Sequence, residues 1–530
     1  MYIVGIITFF VIIVLIGIFV SKKVTTTEDY YVAGRNAPTM LIVGSLVASL
    51  LSAVAFTGEA GFAYDGYPMI LIVFAVLMSC GYVLGALFFG RYLRRSNAMT
   101  LPEFFGKRFQ SVKVRKAAAL TVVIAIAGYL IAVTQGSAIL LSEVLNVDYI
   151  TAIIIMWIVY TSFTFLSGAK GVLITDTIMF FVFLIATVIS IPFILINNGG
   201  WPGAFTNIMD MNPDILSWHG ITGENAYMGT QIDAIVWAVI LGLSWAFVTA
   251  VSPWQTSRYL MAKNEHVIIR SGMFAPIPIM LIYFLLATTM ATVPLINPNI
   301  VPSEKVYIWL ALNILPPIIG IIVLSGIMSA AISSCSTFLQ LIGNSIAKDI
   351  FIKKSDTFSD AKMLKVSRIS MFSVAVVVLV ATIFPPPAVM FIAYAAGTMF
   401  AASWGPVSIA SIFSKKITKE AAFWSILVGL FTVLFGEIAT ELGFLTLPVY
   451  LEPVIVGSVL STLTLFIVSK FGTVTEGEKA FHDKLLQAPE SNYDSVDMSI
   501  TKKYPIVLIS SGVVLIAFVF IYYYIPVKLF

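Results

Sequence analysis

Uncharged apolar segments of about twenty residues recur along the whole chain, and they constrain its fold more than any other feature. A helix that crosses a hydrocarbon core of ~30 Å needs roughly 20 such residues, because each residue adds about 1.5 Å of length. Of the 530 residues, 59% are hydrophobic and only 11% are charged, whereas soluble domains have ~25% charged residues. The sequence therefore predicts an all-α, polytopic membrane protein without a separate soluble domain.

Fourteen membrane spans are predicted, and the first is interpreted as a retained span and not a cleaved signal peptide. They lie roughly at residues 2–20, 41–60, 69–90, 118–142, 150–167, 173–196, 231–252, 272–293, 317–346, 366–383, 389–413, 421–440, 451–469 and 504–524. With both termini outside the cell, every one of the 31 Lys and Arg residues except Lys305 and Lys528 lies inside. This distribution follows the positive-inside rule and predicts a multi-pass protein of the plasma or inner membrane. The net charge of +4 then reflects orientation in the membrane and not a nucleic-acid partner.

Two internal connections, 353–368 and 470–503, are long and rich in polar residues of both signs. Neither has the apolar content of a folded domain, so both are predicted to be mobile connectors. The basic residues in them are typical of a solvated loop beside anionic lipid headgroups.

Hydroxyl groups crowd the middle of the ninth predicted span, `SGIMSAAISSCSTFLQLIG`. At helical spacing, Ala330, Ser333, Ser334 and Thr337 share one face, and Ser336 lies on its flank. Small residues and hydroxyls of this kind serve helix packing in many membrane proteins. The alternative is a site for a hard monovalent cation, completed by backbone carbonyls from a broken helix elsewhere.

Two other predicted spans contain candidate breaks. In `GSLVASLLSAVAFTGEAG`, serines and glycines compete with helical hydrogen bonding. In `LSWAFVTAVSPWQTSR`, Pro253 removes a backbone donor. The two segments are five predicted spans apart, as an inverted repeat requires, and paired broken helices are the best sequence indication of a transporter's central site.

Two of the acidic residues within the predicted spans each have two interpretations. Asp176, in `SGAKGVLITDTIMFF`, either caps the start of its helix or takes part in a functional site. Glu59, in `FTGEAG`, is either a glutamate of a water-filled external vestibule or an outer-gate residue that meets a substrate amine or titrates.

Several motifs, in this order along the chain, resemble one known family. They are `TTEDYYVAGRNAP`, `MTLPEFFGKRF`, `GAKGVLITDT`, `SRYLMAK`, `AAISS` and `GPVSIASIFSKKITKEAA`. The chain resembles the sodium/solute symporters, that is, solute carrier family 5 and its bacterial relatives. The resemblance implies a LeuT-like fold of two inverted five-helix repeats, with one extra N-terminal and three extra C-terminal helices. The implied division is a first span and linker at 1–40, the first repeat at 41–196, an external loop at 197–230, the second repeat at 231–413, and the C-terminal spans at 414–530.

The resemblance also implies sodium as the coupling ion, at one site or two. The principal site would use the carbonyls of Ala48, Leu51 and Ala330 and the hydroxyls of Ser333 and Ser334. A second sodium ion would lie with Asp176, Ser336 and Thr337. One departure affects this region, because Met179 stands where the family signature has a glutamine.

The solute is expected to be small and to carry a carboxylate, because broken helices direct positive N-terminal dipole ends at the centre. Sugar-carrying members have polar residues where this chain has Ala55, Val73 and Trp245, so a sugar is disfavoured. The most similar branches transport proline, pantothenate or monocarboxylates. The implied solute site consists of Ser52, Ala55, Trp245, Thr249, Ser252, Trp254 and Gln255.

The predicted function is therefore sodium-coupled import of a small organic solute by alternating access, with the solute and the lipid bilayer as partners. One alternative is a carrier of an amine or cationic solute that uses Glu59, and another is a channel. Paired breaks favour alternating access over a continuous pore. An enzyme is disfavoured because the three histidines lack metal-ligand spacing and no nucleophile or phosphate-binding motif occurs.

Overall fold

The computed structural model describes residues 1–21, 26–223, 226–351, 360–384 and 388–529. In these ranges the chain forms α-helices joined by turns, by short 3₁₀ and π-helical segments and by longer loops. The helices are α1 (Tyr2–Ser21), α2 (Thr27–Val32), α3 (Thr39–Leu50), α4 (Ala60–Tyr64), α5 (Pro68–Gly85), α6 (Arg91–Arg95), α7 (Leu101–Arg108), α8 (Val112–Leu145), α9 (Tyr149–Asn197), α10 (Gly203–Met211), α11 (Gln231–Val251), α12 (Pro253–Met261), α13 (Glu265–Phe274), α14 (Pro276–Met290), α15 (Val306–Asn313), α16 (Pro317–Ser345), α17 (Asp360–Ile383), α18 (Val389–Phe413), α19 (Lys419–Glu441), α20 (Pro453–Ser469), α21 (Glu476–Leu486), α22 (Ser495–Thr501), α23 (Tyr504–Val519) and α24 (Ile525–Leu529).

The apolar helices account for the membrane character of the chain. Within the described ranges, ten helices are long and apolar enough to cross a membrane, or eleven if α3 and the bent segment that follows it form one span. Tyr2–Gly17 and Tyr149–Phe165 are shorter apolar helices. The chain is thus an integral membrane protein, and fourteen crossings remain a prediction.

Two connections between predicted spans are partly or wholly helical. The predicted fifth and sixth spans, 150–167 and 173–196, form one continuous helix, α9. The connection contains two glycines, each of which costs a helix only about 1 kcal/mol relative to alanine, so they do not by themselves end it. Residues 353–359 of the first polar connector lie outside the described ranges, and 360–368 begin α17.

The second polar connector, 470–503, was predicted to be mobile, and this was wrong. It forms α21, a 3₁₀ turn and α22, which bind to the ends of other helices. The ring Nε2 of His482 donates to the carbonyl of Ile412 at 2.7 Å. The guanidinium of Arg270 donates to the carboxylate of Asp497 at 2.8 Å. These polar groups are bonded by residues that are distant along the chain. The composition of the segment alone suggests that they face solvent.

The centre of the molecule is built from α3, α5, α8, α9, α11, α16 and α18. Helix α16 packs against both α9 and α8, and α9 packs against α3. Helix α11 packs against α5 and α18, and α18 packs against α8. Both predicted breaks therefore lie inside the bundle, one at the end of α3 and one between α11 and α12.

Candidate functional site

The first break follows α3, where the chain bends by 60° before it resumes at Ala55–Tyr64. Two amides near the bend do not make the bonds of a continuous helix. The amide of Ser52 donates to the carbonyl of Leu50 at 2.8 Å, and that of Ala55 donates to the carbonyl of Ser52 at 3.2 Å. A continuous helix would direct these two donors to the carbonyls of Ala48 and Leu51. The bend thus withholds the helical donor from Ala48 and Leu51, two of the three carbonyls predicted to bind sodium.

The second break lies at Ser252, between α11 and α12. Its ψ of 147° is extended, and Pro253 occupies the first position of α12. Because proline has no N–H, the carbonyl of Thr249 loses its helical donor. The amides of Gln255 and Thr256 donate to the carbonyl of Ser252 at 3.2 and 2.9 Å. Thus α11 ends with released carbonyls and α12 begins with its positive dipole end at the same point.

One tyrosine of α8 connects the two breaks. The ring of Tyr129 packs edge-on against Trp245, with centroids 6.1 Å apart, and against Trp254, with centroids 5.5 Å apart. These tryptophans flank the break at Ser252. The hydroxyl of Tyr129 also interacts with Ser52, at the first break. Tyr129 thus lies between the two breaks.

The two serines predicted to bind the principal sodium ion differ in their surroundings. Both side chains are fully buried in α16. The hydroxyl of Ser333 donates to Oδ1 of Asp176 at 2.6 Å. The hydroxyl of Ser334 has no hydrogen-bond partner in the described part of the chain. Buried polar atoms without a partner are rare and require an explanation, which for Ser334 is an oxygen available to a ligand.

Asp176 lies in the interior of α9, so its interpretation as a helix cap was wrong. Its carboxylate forms a buried ion pair with Arg258 of α12, with 3.0 Å between Nη2 and Oδ2. The hydroxyl of Ser45 donates to the same oxygen at 2.6 Å. With the bond from Ser333, the carboxylate accepts three hydrogen bonds that link α3, α9, α12 and α16. A buried charge is stabilised only by such pairing and hydrogen bonding.

The residues predicted for a second sodium ion are only partly brought together. Arg258 donates to the hydroxyl of Thr337 at 2.8 Å, so the guanidinium lies between Thr337 and Asp176. The hydroxyl of Ser336 instead donates to the carbonyl of Ser333 at 3.0 Å. In this structure the positive charge beside Asp176 is Arg258.

Arg258 belongs to the motif `SRYLMAK`, but no role is predicted for it from the sequence. Its position could have indicated a role, because Arg258 closely follows the apolar residues of the seventh predicted span. An ionisable side chain at such a position requires a partner. Arg258, Ser45 and Thr337 line a cleft together with Thr100 and Leu101, which lie at the start of α7. The arginine of the ion pair therefore forms part of the lining of this cleft.

Four of the seven residues predicted to bind the solute have buried polar atoms without partners. Among the described residues no hydrogen bond is made by the indole N–H groups of Trp245 and Trp254, the hydroxyl of Ser252 or the side-chain amide of Gln255. All four side chains belong to α11, α12 or the break between them. Their unused donors and acceptors suit a polar ligand.

Of the other three predicted solute residues, two are already hydrogen-bonded within the protein and one is apolar. The hydroxyl of Thr249 donates to the carbonyl of Met78 in α5 at 3.1 Å, and so fastens α11 to α5. The hydroxyl of Ser52 accepts a bond from the amide of Val54 at 3.2 Å. Ala55 is buried at the start of the π-helical turn Ala55–Glu59.

Glu59 is buried, with 4% of its surface exposed. The structure therefore does not place it in a water-filled external vestibule, and that interpretation was wrong. The hydroxyl of Tyr394 donates to its Oε1 at 2.9 Å. The position of Glu59 along the predicted span indicates the outer half of the bundle. Its burial depends on the elements that pack against the π-helical turn, among them α15 and α18.

Comparison with known proteins gives a consistent result. A sequence profile described as the sodium:solute symporter family matches residues 30–429. The sodium/pantothenate symporter of Haemophilus influenzae is 23% identical over 420 residues, which cover 78% of this chain and 84% of that protein. The sodium/proline symporter of Salmonella typhimurium is 24% identical over 488 residues, covering 87% of this chain and 91% of that protein.

A solved structure extends the comparison to the fold. It is the substrate-bound, outward-open state of a sodium-coupled sialic acid symporter, and it aligns with a TM-score of 0.75 at 19% identity. The alignment covers 90% of this chain and 99% of that one. At this identity the likeness concerns the fold, and it agrees with the predicted LeuT-like class.

Proposed function

Because the chain belongs to the sodium:solute symporter family, it is a sodium-coupled solute transporter, and we propose that it imports a small solute with a carboxylate. The observation that carries this proposal is the pair of helix breaks joined by Tyr129, beside which four buried side chains have unused polar atoms. Polar groups that converge at a break in the middle of a bundle suit a transported solute.

The principal sodium ion is proposed to bind between α3 and α16. The carbonyls of Ala48 and Leu51 are without helical donors, and the hydroxyl of Ser334 is without a partner. Ser333 and the carbonyl of Ala330 complete the proposed set of five oxygens. Neutral oxygens at several positions are the ligands that a hard monovalent cation prefers, since they replace its hydration shell.

A second sodium ion is proposed only for a state in which Arg258 releases Asp176. The guanidinium now occupies the position between Asp176 and Thr337. Two positive charges at one carboxylate repel each other, so sodium and Arg258 exclude one another there. Sodium binding at this site would therefore loosen α12 from α9 and open the wall of the cleft.

The carboxylate of the solute is proposed to bind at the N-terminus of α12. The amide of Trp254 lies there, and the side chains of Ser252 and Gln255 have unused donors. A helix N-terminus favours an anion through its dipole and its free N–H groups. Relatives named for pantothenate and for proline both handle carboxylate-bearing solutes, which supports this class.

The arrangement in the membrane is proposed as it was predicted from the sequence. It comprises fourteen spans with two inverted repeats at 41–196 and 231–413, both termini outside the cell, and residence in the plasma or inner membrane. The breaks after α3 and after α11 occupy corresponding positions in the two proposed repeats.

The proposal is tested with purified protein in liposomes and a panel of radiolabelled carboxylates, among them proline, pantothenate and pyruvate. We expect an inward sodium gradient to drive at least one of them above its equilibrium concentration. Uptake that is the same in potassium as in sodium would contradict the proposal.

A further inference from the structure

We propose that Glu59 and the rings of Phe74, Trp245, Tyr283 and Tyr394 form a subsite for the ammonium group of the solute. The inference rests on the proposed function and narrows it. A solute that satisfies both this subsite and the α12 N-terminus carries a carboxylate and a positively charged nitrogen, so it is a zwitterion. Plain monocarboxylates and pantothenate lack the cationic nitrogen.

The first argument is the missing counter-charge of Glu59. Among the ion pairs of the described residues, none involves Glu59, and its Oε2 has no hydrogen-bond partner of good geometry. Tyr394 donates to Oε1, and Tyr283 lies close enough to interact with the same carboxyl group. Arg258, the buried arginine of α12, is already paired with Asp176. An ionised carboxylate at this depth requires a cation that the fold itself does not supply.

The second argument is the aromatic surroundings of the carboxyl group. The ring of Tyr394 lies 5.0 Å from that of Phe74 and 5.4 Å from that of Trp245, measured between centroids. Phe74 is also 5.9 Å from Trp245 and 6.3 Å from Tyr283. A carboxylate beside a cluster of aromatic rings suits an organic ammonium ion, because the ring quadrupole attracts a cation and the rings accept its alkyl groups.

Trp245 lies between the two proposed subsites. Its ring packs against Tyr394 on the Glu59 side and against Tyr129 on the side of the break. Its helix, α11, ends at Ser252, where the carboxylate subsite begins. A single small molecule with opposite charges at its two ends therefore matches the polarity of the centre, negative at Glu59 and positive at the start of α12.

A further sodium ion or a proton would also neutralise Glu59, and burial without a counter-charge favours the proton when no solute is bound. Sodium prefers a shell of several oxygens, but the neighbours of Glu59 are chiefly aromatic rings. A proton and a solute ammonium group therefore compete for the same carboxyl group, and the aromatic rings favour the ammonium group because their quadrupoles attract a cation. Both remain as outcomes that the experiment separates.

The experiment compares solutes that differ only in the charged nitrogen. The pairs are L-proline with cyclopentanecarboxylate, and glycine betaine with 3,3-dimethylbutyrate. Binding to purified protein is measured in sodium by thermal stabilisation and by tryptophan fluorescence. We expect at least one zwitterion to bind roughly ten-fold or more tightly than its carbon analogue, as a desolvated ammonium ion between a carboxylate and aromatic rings implies.

Four variants test whether Glu59 and Tyr394 cause the preference for the zwitterion. Glu59→Gln keeps the shape and removes the charge, and it is expected to abolish the preference for the zwitterion while sodium still stabilises the protein. Glu143→Gln is the matched control, since this half-exposed glutamate pairs with Lys305. Tyr394→Leu, which removes a ring, should weaken glycine betaine binding more than Tyr394→Phe, which removes only a hydroxyl.

Three results would overturn the inference. In the first, no zwitterion binds more tightly than its analogue. In the second, Glu59→Gln changes binding no more than Glu143→Gln does. In the third, Glu59→Gln removes a pH dependence or a sodium dependence but leaves the preference for zwitterions unchanged, which would assign Glu59 to a proton or an ion. Sodium-dependent binding of the carbon analogues alone would refute the inference and leave the proposed function standing. Loss of all sodium dependence in the unmodified protein would contradict the proposed function itself.

Discussion

The hydroxyl of Ser334 allows a test in which sodium binding and folding respond differently to one substitution. In Ser334→Ala, a buried hydroxyl without a hydrogen bond is replaced by hydrogen. An unsatisfied buried polar group costs ~1–3 kcal/mol, so its removal should leave the sodium-free protein equally stable or slightly more stable. The loss of one oxygen from a cation site removes an interaction of ~1.5–3 kcal/mol, which corresponds to about a ten- to 150-fold weaker sodium affinity.

Ser333→Ala should behave differently, because its hydroxyl donates to the buried carboxylate of Asp176 at 2.6 Å. This variant should lose ~1.5–3 kcal/mol of stability even without sodium, in addition to weaker sodium binding. The assay is the midpoint of thermal unfolding as a function of sodium concentration at constant ionic strength. Ser325→Ala is the matched control, since Ser325 is a buried serine of the same helix whose hydroxyl also has no partner in the described ranges.

We expect Ser325→Ala and Ser334→Ala to have similar unfolding midpoints without sodium and to diverge as sodium is added. If Ser334→Ala retains the sodium midpoint of the unmodified protein within about two-fold, a figure well below the expected ten-fold, then Ser334 does not bind the ion. If it destabilises the sodium-free protein as much as Ser333→Ala does, the hydroxyl has a structural partner and the argument fails.

Three further predictions concern the same centre. Asp176→Asn leaves the guanidinium of Arg258 without its counter-charge and should lower the free energy of unfolding by ~3–5 kcal/mol; if a second sodium ion binds there, the Hill coefficient for sodium-dependent uptake should also fall toward one. Gln255→Leu removes unpartnered polar atoms, so the unfolding midpoint should hold while solute affinity measured by fluorescence falls, and a matched loss of both would contradict the binding role. In Gly397→Ala the new methyl would lie 2.6 Å from the ring of Trp245, so we expect a shifted tryptophan emission and a loss of ~1–3 kcal/mol of stability; unchanged emission would show that the ring does not move.

The breaks could be predicted from the sequence because their causes are local. Pro253 lacks a donor wherever it stands, and the amides of Ser52 and Ala55 find acceptors within three residues. The membrane helices could be predicted for the same reason, because each apolar segment by itself is long enough to cross the bilayer and satisfies its own backbone hydrogen bonds. Structural features that depend only on neighbouring residues can therefore be predicted from the sequence.

The partners of the charged residues could not be predicted, because they are distant along the chain. Asp176 and Arg258 are 82 positions apart, and Glu59 and Tyr394 are 335 apart. Whether a buried acid is a cap, an ion-pair member or a free carboxylate depends on which helices pack against it. For the same reason the hydrogen bonds that order α21 and α22, such as that from Arg270 to Asp497, have no local signature.

The central claim, that the paired breaks form a sodium-driven solute site, is tested most directly by transport in liposomes. Uptake of labelled proline, pantothenate and pyruvate is followed with an inward sodium gradient, with equal sodium on both sides, and with potassium in place of sodium. The account predicts that at least one solute accumulates above equilibrium only with the gradient, and that Ser334→Ala removes the accumulation whereas Ser325→Ala does not. Accumulation that persists in potassium, or that Ser334→Ala leaves intact, would contradict it.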